Sequence, residues 1–436
     1  MYLVWASNLD AGMNCAILLA TLTAIELRLF TRTSNEYLSL VNPLLVALTA
    51  MFLQQTFVAL GRALPAVIAP AMIADLMIDS AWIGVYFSIV AAAALMTQLG
   101  CGNFIIRYGA MRMSQAALVL LAIGTAFAAI GTPFFLVLSA LLAGGGASVS
   151  TPASSHLLGR VSPPKYMPLI FSIKQTAVPA GLLIAGFVGP SITEWSNWRY
   201  TMLLSALGCV IFSLMLQPLV KNFDDDRIAT RKFHFSDFGT TLRSVLGTRA
   251  LRNLAFSCFA FNAVQTIFTV YFVVYLTTIG YTMVAAGFLF STVVVIAVPG
   301  RIVWGLLGSG YIQPRIMMAV LALGMVLSMV LLGLSSEGWP TIVIGIIATV
   351  ISATALSWHG VLLAEAARAA PEGSRGGVTG GVLSFGQIGA LTAPSIFALL
   401  LGVSNSYGLG FIVCSIPALL VGVALLRQSQ GSKTGK

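Results

Sequence analysis

Long apolar runs separated by short polar stretches make up most of the chain. Each run holds roughly 19 to 28 residues, which lets a helix cross about 30 Å of hydrocarbon with some tilt. The pattern therefore predicts an all-α membrane protein with twelve transmembrane helices, numbered span 1 to span 12. The predicted spans are 43–70, 81–101, 113–131, 133–157, 168–190, 200–219, 254–278, 282–304, 316–334, 339–362, 377–402 and 408–426.

One long polar stretch, residues 221–253, interrupts this pattern between spans 6 and 7. It is rich in Lys, Arg and Asp, whereas the sequence on both sides is almost continuously apolar. The sequence therefore predicts three parts besides the N-terminus. These are a six-helix half over 40–220, a linker over 221–253, and a second six-helix half over 254–436 that ends in a short basic tail.

Residues 1–39 do not fit the pattern. Their apolar run, 13–25, is too short to cross about 30 Å of hydrocarbon at about 1.5 Å per residue. A secretory signal needs basic residues before its apolar run, and this segment has only Asp10 there. We interpret residues 1–39 as a peripheral helix or as an overlong translational start.

Composition supports an integral membrane protein, because 58% of the residues are hydrophobic and only 8% are charged. The formal net charge of +10 lies mainly in short loops, a distribution that does not suggest nucleic-acid binding. The five cysteines are scattered singly, so the sequence predicts no metal site and no cofactor. It also lacks a phosphate-binding motif or a nucleophile arrangement, and we expect no enzymatic activity.

The Lys and Arg residues are distributed unequally between alternate loops. If the linker is cytoplasmic, 19 of them lie on its side of the membrane and only Arg199 lies on the other. The positive-inside rule then predicts a multi-pass protein of the plasma (inner) membrane with both termini in the cytoplasm.

The two halves resemble distant copies of each other. The loop after span 2 reads Gly102-Asn-Phe-Ile-Ile-Arg107-Tyr-Gly109-Ala-Met-Arg112, and the loop after span 8 is also rich in Gly before Arg315. Spans 5 and 11 both carry Gly and Pro. Repeated halves with such interrupted helices predict a binding site between them.

The six-helix, linker, six-helix layout, the loop after span 2 and the Trp198-Arg199 pair before span 6 resemble the major facilitator superfamily over residues 40–430. The resemblance implies two pseudo-symmetric six-helix bundles and secondary transport. The chain departs from the family pattern at two positions. Ile106 stands where the loop usually has an Asp, and Ala140 lies in a fourth span that often has an Arg.

Basic side chains inside the spans are the first candidates for substrate binding, because charges in a bilayer are costly. Lys174, with Gln175 beside it, lies about 9 to 13 Å inside span 5; it either binds substrate or extends to the surface. Arg62 lies on the same face of span 1 as Gln55. Its depth depends on where the span begins, so both a central and a peripheral position remain open.

Uncharged polar residues extend this candidate site. Asn262 and Gln265 share one face of span 7, and we expect that face to line a cavity because two amides are hard to satisfy in a dry helix interface. Hydrogen bonding between helices is the alternative. His359 in span 10 is either a proton relay or a packing residue.

A second group of residues is expected to form the gate. Gly102 and Gly109 would allow a tight turn and a close helix approach, while Arg107 and Arg112 would face headgroups or helix C-termini. Topological anchoring explains these arginines about equally well. Arg301 lies near the end of span 8, and we expect it to reach the headgroups or the gate loop.

Together these features predict a secondary active transporter of a small solute. Basic groups and amides without acidic groups in the spans favour an organic anion, moved by alternating access with or without a coupling ion. One alternative is an exporter of uncharged amphipathic compounds, and another is a non-transporting receptor or scaffold with the same fold. The expected partners are the substrate and the lipid bilayer, and we expect a monomer.

Overall fold

The computed structural model describes residues 35–163, 167–230, 242–243, 245–307, 312–369 and 375–431. The chain divides by its internal contacts into Met1–Thr49 and Ala50–Lys436. In the first unit, only the start of the helix from Asn35 is described, so most of the predicted N-terminal extension lies outside the described residues. The account below concerns the second unit.

Among the described residues, twelve helices are long and apolar enough to cross a membrane. They confirm the predicted spans to within about five residues, a shift of the size common at helix ends. The observed spans 1 to 12 are Pro43–Val67, Ala81–Gln98, Ala110–Ala128, Pro133–Val161, Ile173–Trp195, Trp198–Phe223, Arg249–Thr278, Met283–Trp304, Pro314–Leu334, Thr341–Leu363, Val378–Ser404 and Tyr407–Arg427.

Several spans are parts of longer helices or are built from shorter ones. The helices are Asn35–Val67, Ala69–Leu76, Ala81–Tyr108, Ala110–Ala128, Pro133–Val161, Met167–Gln175, Ala177–Trp195, Trp198–Met215, Val220–Phe223, Arg249–Thr278, Met283–Val295, Ala297–Leu306, Pro314–Leu334, Thr341–Ala355, His359–Ala369, Arg375–Ser404 and Tyr407–Gly431, with a 3₁₀ turn at Gln217–Leu219. Span 7 begins at Arg249, so Arg252 and Asn253, which we assigned to the linker, are helical. We call the end of the bundle where span 6 ends and span 7 begins the linker end.

Four of the described spans are broken. Span 6 is divided near its end, where the 3₁₀ turn Gln217–Leu219 separates the helices Trp198–Met215 and Val220–Phe223. Span 5 is interrupted at Thr176 and span 8 at Ile296, in each case three residues before a proline, Pro179 or Pro299. Proline has no N–H to bond the carbonyl four residues earlier, which explains both breaks. Span 10 has no proline at its break, which lies between Ala355 and His359. Span 11, which we also expected to be interrupted because it carries Gly and Pro, is a continuous helix from Arg375 to Ser404 that includes Pro394.

The halves meet along two pairs of spans. Spans 5 and 8 approach closely where Gly186 faces Gly287. A Cβ on Gly287 would overlap the carbonyl oxygen of Gly186, and a Cβ on Gly186 would overlap the side chain of Ser291. Ser291 of span 8 donates a hydrogen bond of 2.8 Å to the carbonyl of Leu183. Spans 2 and 11 are joined by a hydrogen bond of 2.8 Å from Ser395 to Ser88. Small residues at such contacts permit close packing without a hydrophobic driving force between helices.

Candidate functional site

Lys174 is fully buried, with 0% of its surface exposed. It lies in the last turn of the helix Met167–Gln175, about 10 Å from the start of that helix at about 1.5 Å per residue. No described residue accepts a hydrogen bond from its Nζ atom. The interpretation that Lys174 extends to the membrane surface is therefore wrong for this conformation.

Arg301 bridges the breaks in spans 5 and 10. Its Nε donates a hydrogen bond of 2.9 Å to the carbonyl of Leu356, and one terminal nitrogen donates to the carbonyl of Gln175. Our expectation that Arg301 reaches the headgroups or the gate loop is wrong. Pro179 provides no N–H for the carbonyl of Gln175, so that carbonyl remains free to accept from the guanidinium. Both acceptors lie at helix C-termini, where a positive charge is favourable.

Lys174 and His359 lie one and three residues along the chain from the two carbonyls that Arg301 binds. Within the described part of the chain, no acidic side chain forms an ion pair with Lys174 or Arg301. The expectation that no acidic residue lies within a span needs one correction, because span 5 extends to Trp195 and includes Glu194. Glu194 is exposed at the opposite end of that span from Lys174, so it does not neutralise the site.

The second half contributes an aromatic and amide cluster. Trp358 is buried, its ring stacks on His359 with 3.8 Å between centroids, and its Nε1 donates a hydrogen bond of 3.0 Å to Gln265. His359 is partly buried, and its Nδ1 has no partner among the described residues. Asn262 donates a hydrogen bond of 2.6 Å to the carbonyl of Gly386 in span 11. Our argument that the two amides are hard to satisfy between helices is therefore wrong, although both side chains stay partly exposed.

Gln55 belongs to a polar cluster in the first half. Its side-chain oxygen accepts hydrogen bonds of 3.0 Å from Ser150 and 3.2 Å from Thr151 of span 4. The adjacent Gln54, which the sequence analysis did not single out, accepts a hydrogen bond of 2.6 Å from Ser150. Arg62 is partly buried and lies five residues before the end of span 1, about 8 Å from that end, and its depth in the bilayer stays a prediction.

In the loop after span 2, the turn predicted at Gly109 is confirmed, and the turn predicted at Gly102 is not. Gly109 has a φ of +97°, and a Cβ there would overlap the carboxyl group of Asp224. Gly102 lies inside the helix Ala81–Tyr108 and has open space around it. Arg107 is exposed in the last turn of that helix. Arg112 begins span 3 and donates hydrogen bonds to Gln115 and Gln217.

Asp224, at the start of the linker, places a carboxylate against this loop, in which Ile106 stands where the resemblance implies an Asp. Its two oxygens accept hydrogen bonds of 2.8 Å from the backbone N–H groups of Met111 and Arg112, so it caps the N-terminus of span 3. Burial raises the pKa of Asp224, and the N–H bonds from Met111 and Arg112 only partly offset this effect. The sequence signal for this contact was the Asp224-Asp225-Asp226 run, which we interpreted only as part of the linker.

The rest of this acidic run binds span 4. Arg160 forms ion pairs of 2.8 Å with Asp225 and 2.6 Å with Asp226, and His156 lies 2.8 Å from Asp226. Burial alone would raise the pKa of Asp226, but the hydrogen bond from His156 and the charge of Arg160 together lower it. The start of the linker is therefore held against the ends of spans 3 and 4.

A sequence model described as Major Facilitator Superfamily matches residues 51–366. The solved nucleoside transporter NupG superposes with a TM-score of 0.70 at 13% identity, covering 88% of this chain and 99% of that chain. A POT family transporter in complex with 5-aminolevulinic acid gives 0.69 at 16% identity, covering 89% and 96%. A D-xylose-proton symporter gives 0.67 at 15% identity, covering 87% and 96%. These likenesses show the fold, and the comparison with curated proteins gives no match.

Proposed function

The chain belongs to the Major Facilitator Superfamily, and on that premise we propose that it moves a small organic anion across the membrane by alternating access. The family and the twelve-span fold indicate a secondary transporter rather than an enzyme. The proposal adds the class of substrate and the side chains that bind it. Lys174 is the principal binding group, with the half-buried Gln175 beside it and the Gln265, Trp358 and His359 cluster contributed by the second half.

The buried Lys174 is the observation that carries the proposal. An ammonium enclosed in a membrane protein, without an acceptor among the described residues, loses several kcal/mol of hydration free energy that none of those residues returns. A carboxylate bound at Nζ would supply a charge-assisted hydrogen bond and neutralise the ammonium. A cationic substrate would instead add repulsion to that of Arg301.

Arg301 has a different role in this proposal. Its guanidinium already donates to two backbone carbonyls, Gln175 in the first half and Leu356 in the second, so it joins the halves rather than meeting the substrate directly. Opening at the linker end requires the bond to Gln175 to break. Substrate binding at the adjacent Lys174 acts on the same segment of span 5, which provides a physical link between occupancy and opening.

The solved structures with a similar fold do not identify the substrate of this chain. Their titles name a nucleoside transporter, a complex with 5-aminolevulinic acid and a D-xylose-proton symporter, so one fold serves chemically different molecules. We take proton coupling as one option for this chain and an uncoupled exchange as another. The linker side is assigned to the cytoplasm of the plasma (inner) membrane from the distribution of Lys and Arg.

Uptake into proteoliposomes tests the proposal. We expect accumulation of lactate or succinate, with little uptake of choline or xylose, and we expect Lys174→Ala to abolish the anion uptake. Lys221→Ala is the matched control, because Lys221 is exposed at the linker end and its loss removes the same charge from the chain. Uptake of choline or xylose that Lys174→Ala leaves intact would overturn the assignment of an anion.

A further inference from the structure

A groove of about 410 Å³ lies between spans 7 and 12, toward the linker end. Its walls are mostly apolar and include Phe256, Phe259, Leu420 and Val421. Phe256 is 50% exposed and Leu420 is 65% exposed, so the groove opens on the outer surface of the bundle. Its volume is within the range of roughly 300 to 1,000 Å³ typical of ligand sites. At this surface the molecules available to fill an apolar groove are lipid acyl chains.

Four arginines surround the linker end of this groove. Arg249 and Arg252 lie in the first turn of span 7, Arg427 ends span 12, and Arg315 lies in the first turn of span 9, which packs against span 12. The first turns of spans 7 and 9 carry no acidic residue. As far as the chain is described, none of the four forms an ion pair. The described residues therefore leave a concentrated positive charge here without a counter-charge.

Arg315 connects this charge to the groove. Its Nε donates a hydrogen bond of 2.9 Å to the carbonyl of Leu425, a residue that also lines the groove. One terminal nitrogen of the same guanidinium is enclosed and has no acceptor among the described residues. Enclosed donors are almost always hydrogen-bonded, so an acceptor that is not part of the described chain is expected at this nitrogen.

We propose that this groove binds one anionic phospholipid. An acyl chain lies against Phe256, Leu420 and Val421, and the phosphate accepts hydrogen bonds from Arg315 with the other three arginines around it. The phosphate is at the depth where anionic headgroups occur, and basic clusters between helix ends are suited to such headgroups. Free phosphate would satisfy the arginines but leave the groove empty. A zwitterionic lipid would fill the groove but gain less from the uncompensated charge.

Native mass spectrometry of the full-length protein tests this proposal, with phosphatidylglycerol and phosphatidylcholine of identical acyl chains as probes. We expect one phosphatidylglycerol to be retained about tenfold more strongly than phosphatidylcholine. Arg315→Gln should reduce this retention about tenfold, the equivalent of one hydrogen bond to a charged group. Ala424→Phe should also reduce it by filling the groove, without changing any charge. Arg107→Gln, which removes an exposed arginine at the linker end of the other half, should leave it unchanged.

Three results would overturn the lipid site. The first is equal retention of the two lipids, and the second is an equal loss in Arg107→Gln and Arg315→Gln, which would show a diffuse surface charge. The third is full competition by inorganic phosphate at the concentration of the lipid, which would show a site for free phosphate. If Arg315→Gln does not fold, Ala424→Phe decides the matter, because unchanged lipid retention in that variant excludes the groove.

Discussion

Arg301 donates a hydrogen bond to the carbonyl of Gln175, across the boundary between the two halves. That carbonyl accepts it because Pro179, four residues later, has no N–H with which to continue the helix. The contact thus joins a side chain of span 8 to a backbone atom of span 5. A backbone acceptor keeps a fixed position and carries no formal charge, so this contact between the halves needs no carboxylate within the membrane.

Replacing Pro179 with alanine should weaken this contact between the halves. The new N–H at position 179 competes with Arg301 for the carbonyl of Gln175, and the helix of span 5 becomes continuous through Thr176. We expect Lys174→Cys to react several-fold faster with a water-soluble thiol reagent in the Pro179→Ala background. Pro152→Ala, at a helix-interior proline of span 4, is the control. An unchanged labelling rate would show that Arg301 does not depend on the break.

Replacing Lys174 with methionine should separate stability from transport. The substitution removes a buried charge that has no acceptor among the described residues, and we expect the free energy of unfolding to rise by about 1 to 4 kcal/mol. Anion uptake should be lost in the same variant. Thermal unfolding in detergent and proteoliposome uptake measure the two effects, with the exposed Lys221→Met as control. A destabilised Lys174→Met would mean that the ammonium has a structural partner.

The contributions of Asp224 and Asp226 to the stability of the fold should change in opposite directions as the pH falls. The pKa of Asp226 is held below the ordinary value for an Asp, which is about 4. Its contacts with His156 and Arg160 therefore stabilise the fold fully above about pH 4, and this stabilisation is lost as the pH falls through the lowered pKa. The pKa of Asp224 is raised, so acidification through that pKa adds stability relative to the unfolded chain.

Two substitutions test this opposition by thermal unfolding between pH 7 and pH 3. Asp226→Asn should reduce the fall in melting temperature between pH 7 and pH 3, because it removes a stabilising contribution that is lost in acid. Asp224→Asn should make the same loss steeper, because it removes a contribution that acid increases. The opposite signs serve as internal controls for each other. A flattening by both variants would contradict the assignment of Asp224.

The spans were predictable from sequence because lipid imposes apolar helices of nearly fixed length, and that constraint acts on every residue in a run. The breaks at Thr176 and Ile296 follow from prolines that are visible in the sequence. The break in span 10, between Ala355 and His359, has no such marker. It depends on neighbours in space, among them Arg301, which binds the carbonyl of Leu356 there.

The candidate site was predictable only in part. Lys174 stands out by its position in an apolar run, but its lack of a hydrogen-bond acceptor among the described residues depends on neighbours that the sequence does not reveal. The capping contact of Asp224 was missed because its partner Met111 is 113 residues away along the chain. We looked for a carboxylate at Ile106, within the loop itself, whereas Asp224 places one against this loop from the start of the linker.

The two loop glycines give a matched pair for a last prediction. Gly109 has a φ of +97°, and a Cβ there would overlap the carboxyl group of Asp224, so Gly109→Ala should destabilise the protein by about 1 to 3 kcal/mol. Gly102 is helical with open space around it, so Gly102→Ala should stabilise by about 0.5 to 1 kcal/mol. Thermal unfolding of both variants measures the difference. Because the strain at position 109 includes the clash with Asp224, the double variant Gly109→Ala, Asp224→Ala should lose less stability than the two single losses combined. Additive losses would show that Asp224 does not pack against Gly109.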